Sequence, residues 1–588
     1  MIIPMKKYSF LIYHQIYYEF LSQLQNLGVV HIIEKSAEAG EKIKKLKQEI
    51  GLLGKALKFL KSRKQKIKKI ETYKDGKQIL EELHDRQAEY ESLTQQLNSV
   101  RKDIKNISPW GHFSINSIGK LKKQGMTLRL FVVSEKGFRP EWARDYYIET
   151  INKIGSTIFF ALFQKGSEKN SIEAEEVKIP DRSLKEVENL EKELITRLGR
   201  LDEAFDQIAA QFYHILERAK MDLEGKLDFN TAIISTEVKA DNKLMILQGW
   251  TPEDKEEKLK KFLAERDILY LYEAPNLSEK VPISLKNNSF SRAFEPIGKM
   301  FSLPSYHEID LTPFFAPFFV LFFGLCLGDA GYGLLILIAS IFFKHKVNSQ
   351  LKPILILGQI LGVATTVIGI LTGTIFGVAL VEIPALKDKI MLSEPNDLFA
   401  LSLYIGIVQI VFGMCIQAAN RYKQFGIKYT ISTIGTILLV VSVIDLYHFK
   451  FITEVSTLTA TVGLILILLY NDPDINPFIR PLKGLYVLYN VASGFLGDFL
   501  SYVRLFALGI SSAILGLVIN QIGSQLLGIP FVGPVLFVIF LVLGHTGNLC
   551  LAGLGAFVHP MRLTFVEFYK NAGFAGGGKP YKPFAHKV

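Results

Sequence analysis

Two arginines in the C-terminal half, Arg504 and Arg562, stand in long apolar segments where a permanent charge is unexpected. An arginine at the centre of a bilayer costs from about 3 to more than 10 kcal/mol, and the guanidinium stays charged at any ordinary pH. A compensating anion is therefore expected, and Asp498 and Glu567 are the acidic residues nearby in the chain. A fixed charge in this setting predicts a role in moving ions. A structural ion pair, or a side chain that reaches the membrane interface, is the alternative, above all for Arg562.

Further polar residues accompany the two arginines. Expected on the cytoplasmic side of Arg504 are Asn490, Ser493, Asp498 and Ser501. Expected toward the outer side are Ser512, His545 and Asn548, with His559 and Glu567 closer to Arg562. Polar side chains in apolar spans suit a water-lined path, but small ones also hold helices together. For each single residue both roles stay open.

The 588-residue chain divides by charge into two parts. About a third of residues 1–300 are charged, against about a tenth of residues 301–588. A water-soluble part joined to a membrane-embedded part is therefore predicted, which excludes a purely soluble enzyme, a secreted disulfide module and a disordered chain. The net charge of +11 is shared between the two parts without an aromatic-basic RNA motif, so no nucleic-acid partner is expected.

The membrane part is predicted to cross the bilayer eight times. Its apolar segments lie near 311–343, 353–381, 397–418, 429–446, 455–470, 484–519 and 531–565. A span needs about 20 residues, so the first segment, interrupted by GDAGYG, forms one tilted helix or two short ones. Two passes place twelve basic residues inside, Lys587 among them, and leave only Lys387, Lys389 and Lys450 outside, as the positive-inside rule favours. Both termini are then cytoplasmic.

The soluble part is predicted to be α+β, with two lobes joined by a long antiparallel coiled coil. Heptad patterns over 43–60, 83–104 and 194–219 predict the coiled coil, for which pairing between two chains is the alternative. Strands at 127–134 and 155–163 predict a distal lobe, and strand–helix–strand patterns at 7–33 and 243–273 predict a proximal lobe. Thr251 and Pro252 are expected to begin a helix as N-cap and N1.

These patterns predict the domain boundaries. Residues 1–300 form a cytoplasmic arm and residues 301–588 an all-α, ion-translocating transmembrane domain. Within the arm, the proximal lobe is 1–35 plus 228–300, the coiled coil 36–106 plus 181–227, and the distal lobe 107–180. A long arm that carries lobes fits a tether or stator better than an active site.

The segment GFAGGGKP (573–580) nearly fits the phosphate-binding pattern G-x-x-x-x-G-K-[ST]. Pro580 stands where the magnesium-binding hydroxyl belongs, and a membrane segment precedes it instead of a strand. Nucleotide binding is therefore not expected, nor is any cofactor or metal.

Three segments carry a family resemblance: LGDFLSYVRLFALGISSAILG, HPMRLTFVEFYKNAGFAGGGKPYKPF and FFGLCLGDAGYGLL. They resemble the membrane subunit of V-type (A/V-type) rotary ATPases, called subunit a or subunit I. The resemblance covers the whole chain, and the absence of long insertions resembles the prokaryotic branch. It implies a stator in the cell membrane, non-catalytic by itself, with two offset half-channels for protons or sodium ions. ATP hydrolysis or synthesis would then take place in other subunits.

The resemblance also implies roles and partners. Arg504 matches the family's essential arginine, which faces the carboxylates of a rotor ring of small proteolipid subunits, and Arg562 matches its supporting arginine. His559 matches a family histidine. The other implied partners are peripheral-stalk subunits, a central-stalk subunit that caps the ring, the soluble catalytic sector and the lipid bilayer. Vacuolar members carry acidic and histidine residues where Asn490, Ser512 and Ala552 stand, so their half-channels do not transfer in detail.

Two other function classes compete with this interpretation. A secondary transporter with a cytoplasmic regulatory arm would show paired, broken repeats around a midplane site, and none is evident in the sequence. A membrane-anchored scaffold would not need Arg504.

Overall fold

The computed structural model describes residues 1–34, 40–63, 76–165, 172–276, 279–347, 351–380, 394–449 and 453–586. The loop and tail lysines Lys387, Lys389, Lys450 and Lys587 lie outside these residues. The chain separates into two compact units. Unit 1 comprises Met1–Tyr18, Leu27–Ile33 and Thr236–Phe584, and unit 2 comprises Glu19–Asn26, Glu34–Ser235 and Ala585–Val588.

The chain begins with a strand–helix–strand segment, as its pattern predicts. Its elements are β1 (Met5–Tyr13), α1 (Tyr17–Leu27) and β2 (His31–Ile32). Along β1 the side chains of Tyr8, Phe10 and Ile12 are buried, because alternate residues of a strand point to the same face.

Unit 2 combines long helices with a small antiparallel sheet. Its main elements are α2 (Glu41–Lys61), α3 (Gly76–Ile107), α4 (Ile115–Lys123), β3 (Met126–Ser134), α5 (Trp142–Asp145), β4 (Tyr147–Ile154), β5 (Thr157–Lys165), β6 (Glu175–Val177) and α6 (Leu184–Ile234). The sheet has the order β4-β5-β3-β6. Phe131, Phe160 and Trp142 form its core on one side.

Helices α2 and α3 both run antiparallel to α6. In α3, Glu89 pairs with Arg197 and Arg101 with Glu191, so the sequence numbers run in opposite directions. In α2, Gly40 lies near Ile234, while Arg63 at the other end reaches Asp202 and Asp206. Buried leucines at heptad spacing, such as Leu53, Leu97 and Leu201, fill the seams.

Helix α6 extends seven residues beyond the predicted coiled-coil segment 181–227. Its start is fixed by a capping box, in which the Ser183 hydroxyl accepts from the Glu186 N–H and the Glu186 carboxylate accepts from the Ser183 N–H. It continues to Ile234 because the residues after 225 include neither glycine nor proline.

The sheet of unit 1 draws strands from both ends of the soluble part. Its further elements are β7 (Glu237–Lys239), β8 (Leu244–Pro252), α7 (Glu256–Ala264), β9 (Leu269–Glu273), β10 (Pro282–Ile283), α8 (Ser289–Arg292) and α9 (Glu295–Phe301). Antiparallel strands follow the order β2-β8-β1-β9, with β7 also on β8.

The prediction that Thr251 and Pro252 begin a helix is wrong. Both belong to the end of β8, where Thr251 pairs with Lys6 and Pro252 with Met5 of β1. The ladder to β1 keeps these residues extended, and a 3-10 turn, Glu253–Lys255, precedes α7. Pairing with a distant strand thus overrides the local capping signal.

One carboxylate beside this sheet, that of Glu256, is surrounded by hydrogen-bond donors. The Glu256 side chain accepts hydrogen bonds from Lys6 at 2.7 Å, from Tyr8 at 2.9 Å and from Lys260 at 2.8 Å. The ammonium groups of Lys260 and Lys6, donating to the ionised form, lower the pKa of Glu256 to about 2. Burial and this carboxylate raise the pKa of Tyr8.

The C-terminal part of unit 1 is helical. Its elements are α10 (Thr312–Leu327), α11 (Ala330–Lys344), α12 (Lys352–Thr372), β11 (Thr374–Ile375), β12 (Val378–Ala379), α13 (Pro395–Phe425), α14 (Ile427–Ile444), α15 (Thr453–Tyr470), α16 (Arg480–Ser501), α17 (Val503–Leu526), α18 (Gly533–Arg562), α19 (Tyr569–Asn571) and β13 (Lys579–Pro580). Fully buried phenylalanines of α10, such as Phe315, Phe319 and Phe322, form the centre of its core.

Six helical stretches in the described residues are long and apolar enough to cross a membrane. They are Lys352–Thr372, Pro395–Phe425, Ile427–Tyr447, Thr453–Tyr470, Arg480–Leu526 and Gly533–Asn571. An α+β N-terminal region and a helical C-terminal region are thus confirmed. The two predicted passes of segment 311–343 correspond to the shorter apolar helices α10 and α11.

Helices α10 and α11 run in opposite directions beside α12. Gly324 of α10 faces Ala364 and Ile368, whereas Gly333 and Ser340 of α11 face Thr366 and Gly358. The Thr372 hydroxyl donates to the carbonyl of Gly328, directly after α10, so residue numbers rise together along α10 and α12, whereas they run oppositely along α11 and α12. This geometry supports two short passes, and the total of eight spans stays a prediction.

The glycine-rich segment after α18 returns to the sheet of unit 1. Strand β13 pairs in parallel with β10, the Tyr581 hydroxyl donates to the Val29 carbonyl at 2.6 Å, and the Phe584 N–H donates to the Val30 carbonyl at 2.7 Å. The loop amides of Ala575 and Gly576 donate to the buried Glu308 carboxylate at 2.8 and 3.3 Å. In the phosphate-loop-like segment, these two amides thus bind a carboxylate of the same chain.

Candidate functional site

Arg504 lies at the start of α17, directly after a break in the helix. Helix α16 ends at Ser501 and α17 begins at Val503. The residue between them, Tyr502, is fully buried, and its hydroxyl donates to Gln409 Oε1 of α13 at 2.7 Å. A Cβ at Gly406 would lie 2.5 Å from the Tyr502 ring, so that glycine makes room for it. The buried Tyr502 therefore fixes the position of Arg504 at the start of α17.

The guanidinium of Arg504 is half-buried, and its Nη1 is buried with no hydrogen-bond partner among the described residues. Its electrostatic neighbours are Glu567, His559 and Cys326. An unpaired buried donor on a charged group costs at least about 1–3 kcal/mol, and the guanidinium cannot lose its proton. One N–H group of the guanidinium is therefore left without an acceptor among the described residues.

Glu567 is an acidic side chain that interacts electrostatically with Arg504. It is buried in the π-helical turn Leu563–Phe568 that follows α18, and its Oε2 has no hydrogen-bond partner in the described part of the chain. The Ser501 side chain lies within hydrogen-bonding reach of the carboxylate. Of the two anions expected from the sequence, this one lies in the electrostatic field of the arginine.

Asp498 has a different partner from the one expected. Its buried carboxylate accepts from Lys570 Nζ at 3.0 and 3.2 Å and from Asn571 Nδ2 at 2.8 Å. The sequence suggested Asp498 as an anion for Arg504, six residues later, whereas the structure neutralises it with a lysine of the tail. Lys570 lies 72 residues after Asp498 in the sequence.

Arg562 and His559 stand at the end of α18. Arg562 is its last residue and is exposed, whereas His559 is half-buried. His559 lies in the electrostatic field of both Arg504 and Arg562. The two arginines predicted as functional therefore share one neighbourhood, at the start of α17 and the end of α18.

Asn490 and Ser493 lie on the exposed face of α16. Asn490 precedes Arg504 by fourteen residues, which corresponds to about 20 Å along a helix. The structure therefore does not bring these two residues into the cluster around the arginine.

Ser512, His545 and Asn548 belong to a second polar cluster, which also contains Tyr332 and Asn520. The His545 Nδ1 lies 2.8 Å from the Tyr332 hydroxyl, and its Nε2 lies 3.0 Å from Asn520 Oδ1. Asn548 Nδ2 donates to the Tyr332 hydroxyl at 2.9 Å and to the Ser512 carbonyl at 3.2 Å. Sequence reasoning missed Tyr332 and Asn520, although each is a polar group in an apolar helix.

The buried carboxylate of Asp329 holds this second cluster in place. Its Oδ1 accepts from the N–H groups of Gly331, Tyr332 and Phe376 at 2.8, 3.1 and 2.9 Å, and its Oδ2 accepts from that of Gly377 at 2.8 Å. One carboxylate thus caps α11 and ties the β11–β12 hairpin to it. The GDAGYG motif is a structural joint.

The hairpin in turn contacts α17. A Cβ at Gly377 would lie 2.2 Å from the backbone of Gly516, so the backbone segments at these two glycines are in direct contact. The Phe376 carbonyl accepts from Asn520 Nδ2 at 2.7 Å. These contacts position α17 beside the polar cluster.

Helices α16, α17 and α18 leave much apolar surface uncovered by the described residues. Only 6% of the most apolar window of Gly533–Asn571 is buried, against 39% for Pro395–Phe425. Exposed side chains on α18 are Val535, Val538, Val542, Leu543, Leu551, Leu554 and Val558. A surface of this size needs a covering by lipid or by another protein.

Comparisons with known proteins identify the family. The sequence profile of the "V-type ATPase 116kDa subunit family" matches residues 29–362. The A-type ATP synthase subunit I of Methanocaldococcus jannaschii is 28% identical over 449 residues, which cover 69% of this chain and 63% of that relative. The V-type ATP synthase subunit I of Borreliella burgdorferi is 24% identical over 624 residues and 99% of both chains.

A crystal structure of the cytoplasmic N-terminal domain of a subunit I, homolog of subunit a of V-ATPase, aligns at 14% identity, with a TM-score of 0.23. It covers 46% of this chain and 100% of that one, and at that score it supports no statement about the fold. The profile match, by contrast, spans more than half of the sequence. The chain therefore belongs to the V-type ATPase 116kDa subunit family.

Proposed function

We propose that the chain is subunit I of a V/A-type ATP synthase or ATPase, and that it acts as the membrane stator past which a rotor ring carries ions. Arg504 is the observation that carries this proposal. A guanidinium whose buried Nη1 has no partner among the described residues lies beside α18, which belongs to the least-covered of the six candidate membrane spans. A carboxylate carried on a neighbouring ring would supply the missing acceptor.

The chemistry follows from the charge of the arginine. A ring carboxylate that faces lipid must be neutral, with its ion bound. When it passes the fixed guanidinium, the positive charge favours the ionised form, and the ion is released. Because the arginine never loses its proton, it also repels cations that would leak directly between the two sides.

The polar residues on the two sides of Arg504 are proposed to line two half-channels. The cytoplasmic one comprises Asn490, Ser493, Asp498, Ser501 and Glu567. The outer one comprises Ser512, His545 and Asn548, and we include Tyr332 and Asn520 because they hydrogen-bond to His545. Arg562 and His559 support the essential arginine from the end of α18.

The remaining assignments complete this proposal. The exposed face of α16 to α18 packs against the proteolipid ring and lipid. Residues 1–300 form the cytoplasmic stator arm, which binds peripheral-stalk subunits. ATP hydrolysis or synthesis takes place in the soluble sector, linked to the ring by a central-stalk capping subunit. Eight spans in the cell membrane, with cytoplasmic termini, fit this role.

The decisive experiment replaces Arg504 in the intact complex. Arg504→Ala and Arg504→Lys are compared with the control Arg421→Lys. Arg421 lies near the end of α13, and its guanidinium donates to the Thr433 hydroxyl of α14. ATP-driven ion uptake and ATP hydrolysis are measured in sealed vesicles, after assembly is verified. We expect both Arg504 variants to lose at least about 95% of ion uptake and the control to retain most of it. Wild-type uptake by assembled Arg504→Ala complexes would refute the proposal.

A further inference from the structure

The hydrogen bonds around His545 indicate which ring nitrogen donates and which accepts. Asn520 Nδ2 donates to the Phe376 carbonyl, so its Oδ1 faces His545 Nε2 as an acceptor. The Nε2 therefore carries a proton. Asn548 Nδ2 donates to the Tyr332 oxygen, whose own proton then points to His545 Nδ1. These contacts match a neutral imidazole with hydrogen on Nε2 and an acceptor at Nδ1.

The same cluster offers a second arrangement. Asn548 Oδ1 and the Ser512 hydroxyl are buried and have no hydrogen-bond partner among the residues described. Protonation of Nδ1 would turn the Tyr332 hydroxyl away from the ring, and these two groups are unused acceptors close at hand. Buried polar atoms left open in this way are commonly satisfied by water.

The cluster lies on the side of Arg504 opposite to Asp498 and Lys570. Along α17, Ser512 is eight residues after Arg504 and Asn520 sixteen, which corresponds to about 12 and 24 Å. The polar groups therefore extend in steps from the neighbourhood of the arginine toward the far end of the helix.

The groups that face His545 come from four elements. Tyr332 belongs to α11, Phe376 to the hairpin, Asn520 and Ser512 to α17, and Asn548 to its own helix. The nearby charged group is Asp329, whose two oxygens are occupied by four backbone N–H donors. These bonds fix the carboxylate as a counter-charge that does not compete for the ring nitrogens.

We infer that His545 is the proton relay of the outer half-channel, so that the ion carried is a proton. This inference rests on the proposed function. A sodium ion needs a full shell of oxygen ligands in place of its water, whereas an imidazole forms the centre of this cluster and, of its described oxygens, only Asn548 Oδ1 and the Ser512 hydroxyl are left open. A Grotthuss-type transfer suits imidazole, hydroxyl and water.

The transfer step balances in protons and electrons. A hydronium ion in the cluster gives its proton to Nδ1, an O–H bond breaks and an N–H bond forms. Water and imidazolium result. Release of one proton from the imidazolium to water on the other side breaks an N–H bond and restores the neutral ring. Tyr332 and Asn520 act as positioning residues, because they fix the tautomer that is ready to accept.

The test uses His545→Gln in the intact complex. Glutamine keeps one donor and one acceptor for Asn520 and Tyr332, but it does not titrate. Tyr332→Phe removes the positioning hydroxyl, and His345→Gln, at an exposed histidine after α11, is the matched control. ATP-driven proton uptake is measured with a pH-sensitive dye between pH 5.5 and 8.5, with and without sodium, together with ATP hydrolysis and thermal stability.

We expect His545→Gln to keep its thermal stability and lose at least about tenfold in proton uptake, and its residual uptake to lose the wild-type pH dependence. Tyr332→Phe should retain partial uptake with a shifted pH profile, and His345→Gln should match wild type. Wild-type uptake and pH profile in His545→Gln, or uptake that requires sodium, would overturn the inference.

The Arg504 variants separate this inference from the proposed function. If Arg504→Ala abolishes uptake while His545→Gln does not alter it, the relay is wrong and the stator assignment stands. If Arg504→Ala pumps normally, the proposed function itself fails.

Discussion

Lys570 Nζ lies 3.0 Å from Asp498 Oδ1, in an ion pair that joins the segment after α18 to the end of α16. The carboxylate is buried, and the lysine is 57% exposed. Asp498 is thereby paired with a cation other than Arg504. The pair also ties α19 to the end of α16, directly before the helix that carries Arg504.

Charge reversal tests the Asp498–Lys570 pair. Asp498→Lys alone or Lys570→Asp alone brings like charges together, and we expect each to lower the free energy of unfolding by about 1–3 kcal/mol, between the values for exposed and buried pairs. The double variant should recover at least half of that loss. Thermal unfolding of the detergent-purified protein measures both. Additive losses in the double variant would contradict a direct pairing.

Glu308 should hold the glycine-rich tail against the rest of unit 1. In Glu308→Gln the side-chain NH2 replaces one acceptor that now faces a backbone N–H, which costs about 1–3 kcal/mol. We expect faster proteolytic cleavage in residues 573–584 and a lower unfolding temperature. Glu257→Gln, at an exposed residue of α7, is the control. Equal cleavage rates in the two variants would contradict the role of Glu308.

The contact between Gly377 and Gly516 should not tolerate a side chain. Gly377 has a φ of +72°, and a Cβ there would lie 2.2 Å from the Gly516 backbone. Gly377→Ala is therefore expected to lose at least about 1–2 kcal/mol from the left-handed backbone alone, and more from the overlap. Gly547→Ala, where a Cβ meets nothing within 4 Å, should be neutral or slightly stabilising. Thermal unfolding compares the two, and equal midpoints would refute the contact.

The stability of unit 1 should fall in acid through Glu256. Its folded pKa of about 2 lies below the ordinary value of 4.5, since Lys260 and Lys6 donate to the ionised carboxylate. The stabilisation is therefore complete above about pH 4.5 and is lost as the pH falls toward 2. We expect wild type to exceed Glu256→Gln in unfolding temperature at pH 6, with the gap narrowing below pH 4.5. A gap independent of pH would show that the charge of Glu256 is not its source.

Periodicity and charge were sufficient to predict the coarse architecture, and the resemblance of three segments to known sequences predicted the family. The α+β N-terminal region and the apolar C-terminal helices could be predicted because each pattern lies within one continuous segment of the sequence. The strand end at Thr251 and Pro252 was mistaken for a helix start, because its conformation depends on pairing with β1, about 245 residues earlier. Local capping signals carry no information on such pairing.

The candidate site was predictable where a residue type is unusual in its own segment. Arg504, Arg562 and His545 stand out because apolar helices rarely contain them. The pairing of Asp498 with Lys570, the break at Tyr502 and the joint at Asp329 depend on contacts between residues 47 to 93 positions apart. Tyr332 and Asn520 are polar groups in apolar helices, but only their contacts with His545 show that they belong to the same cluster.

The return of residues 579–584 to the sheet of unit 1 has a consequence for biosynthesis. Strand β1 leaves the ribosome before any of the apolar helices, and β13 leaves it after all of them. The sheet region with its β10–β13 pair can therefore be completed only when every helix between them has been synthesised. A chain that stalls during insertion would expose Val29, Val30 and the edge of β10, which quality-control proteases can recognise.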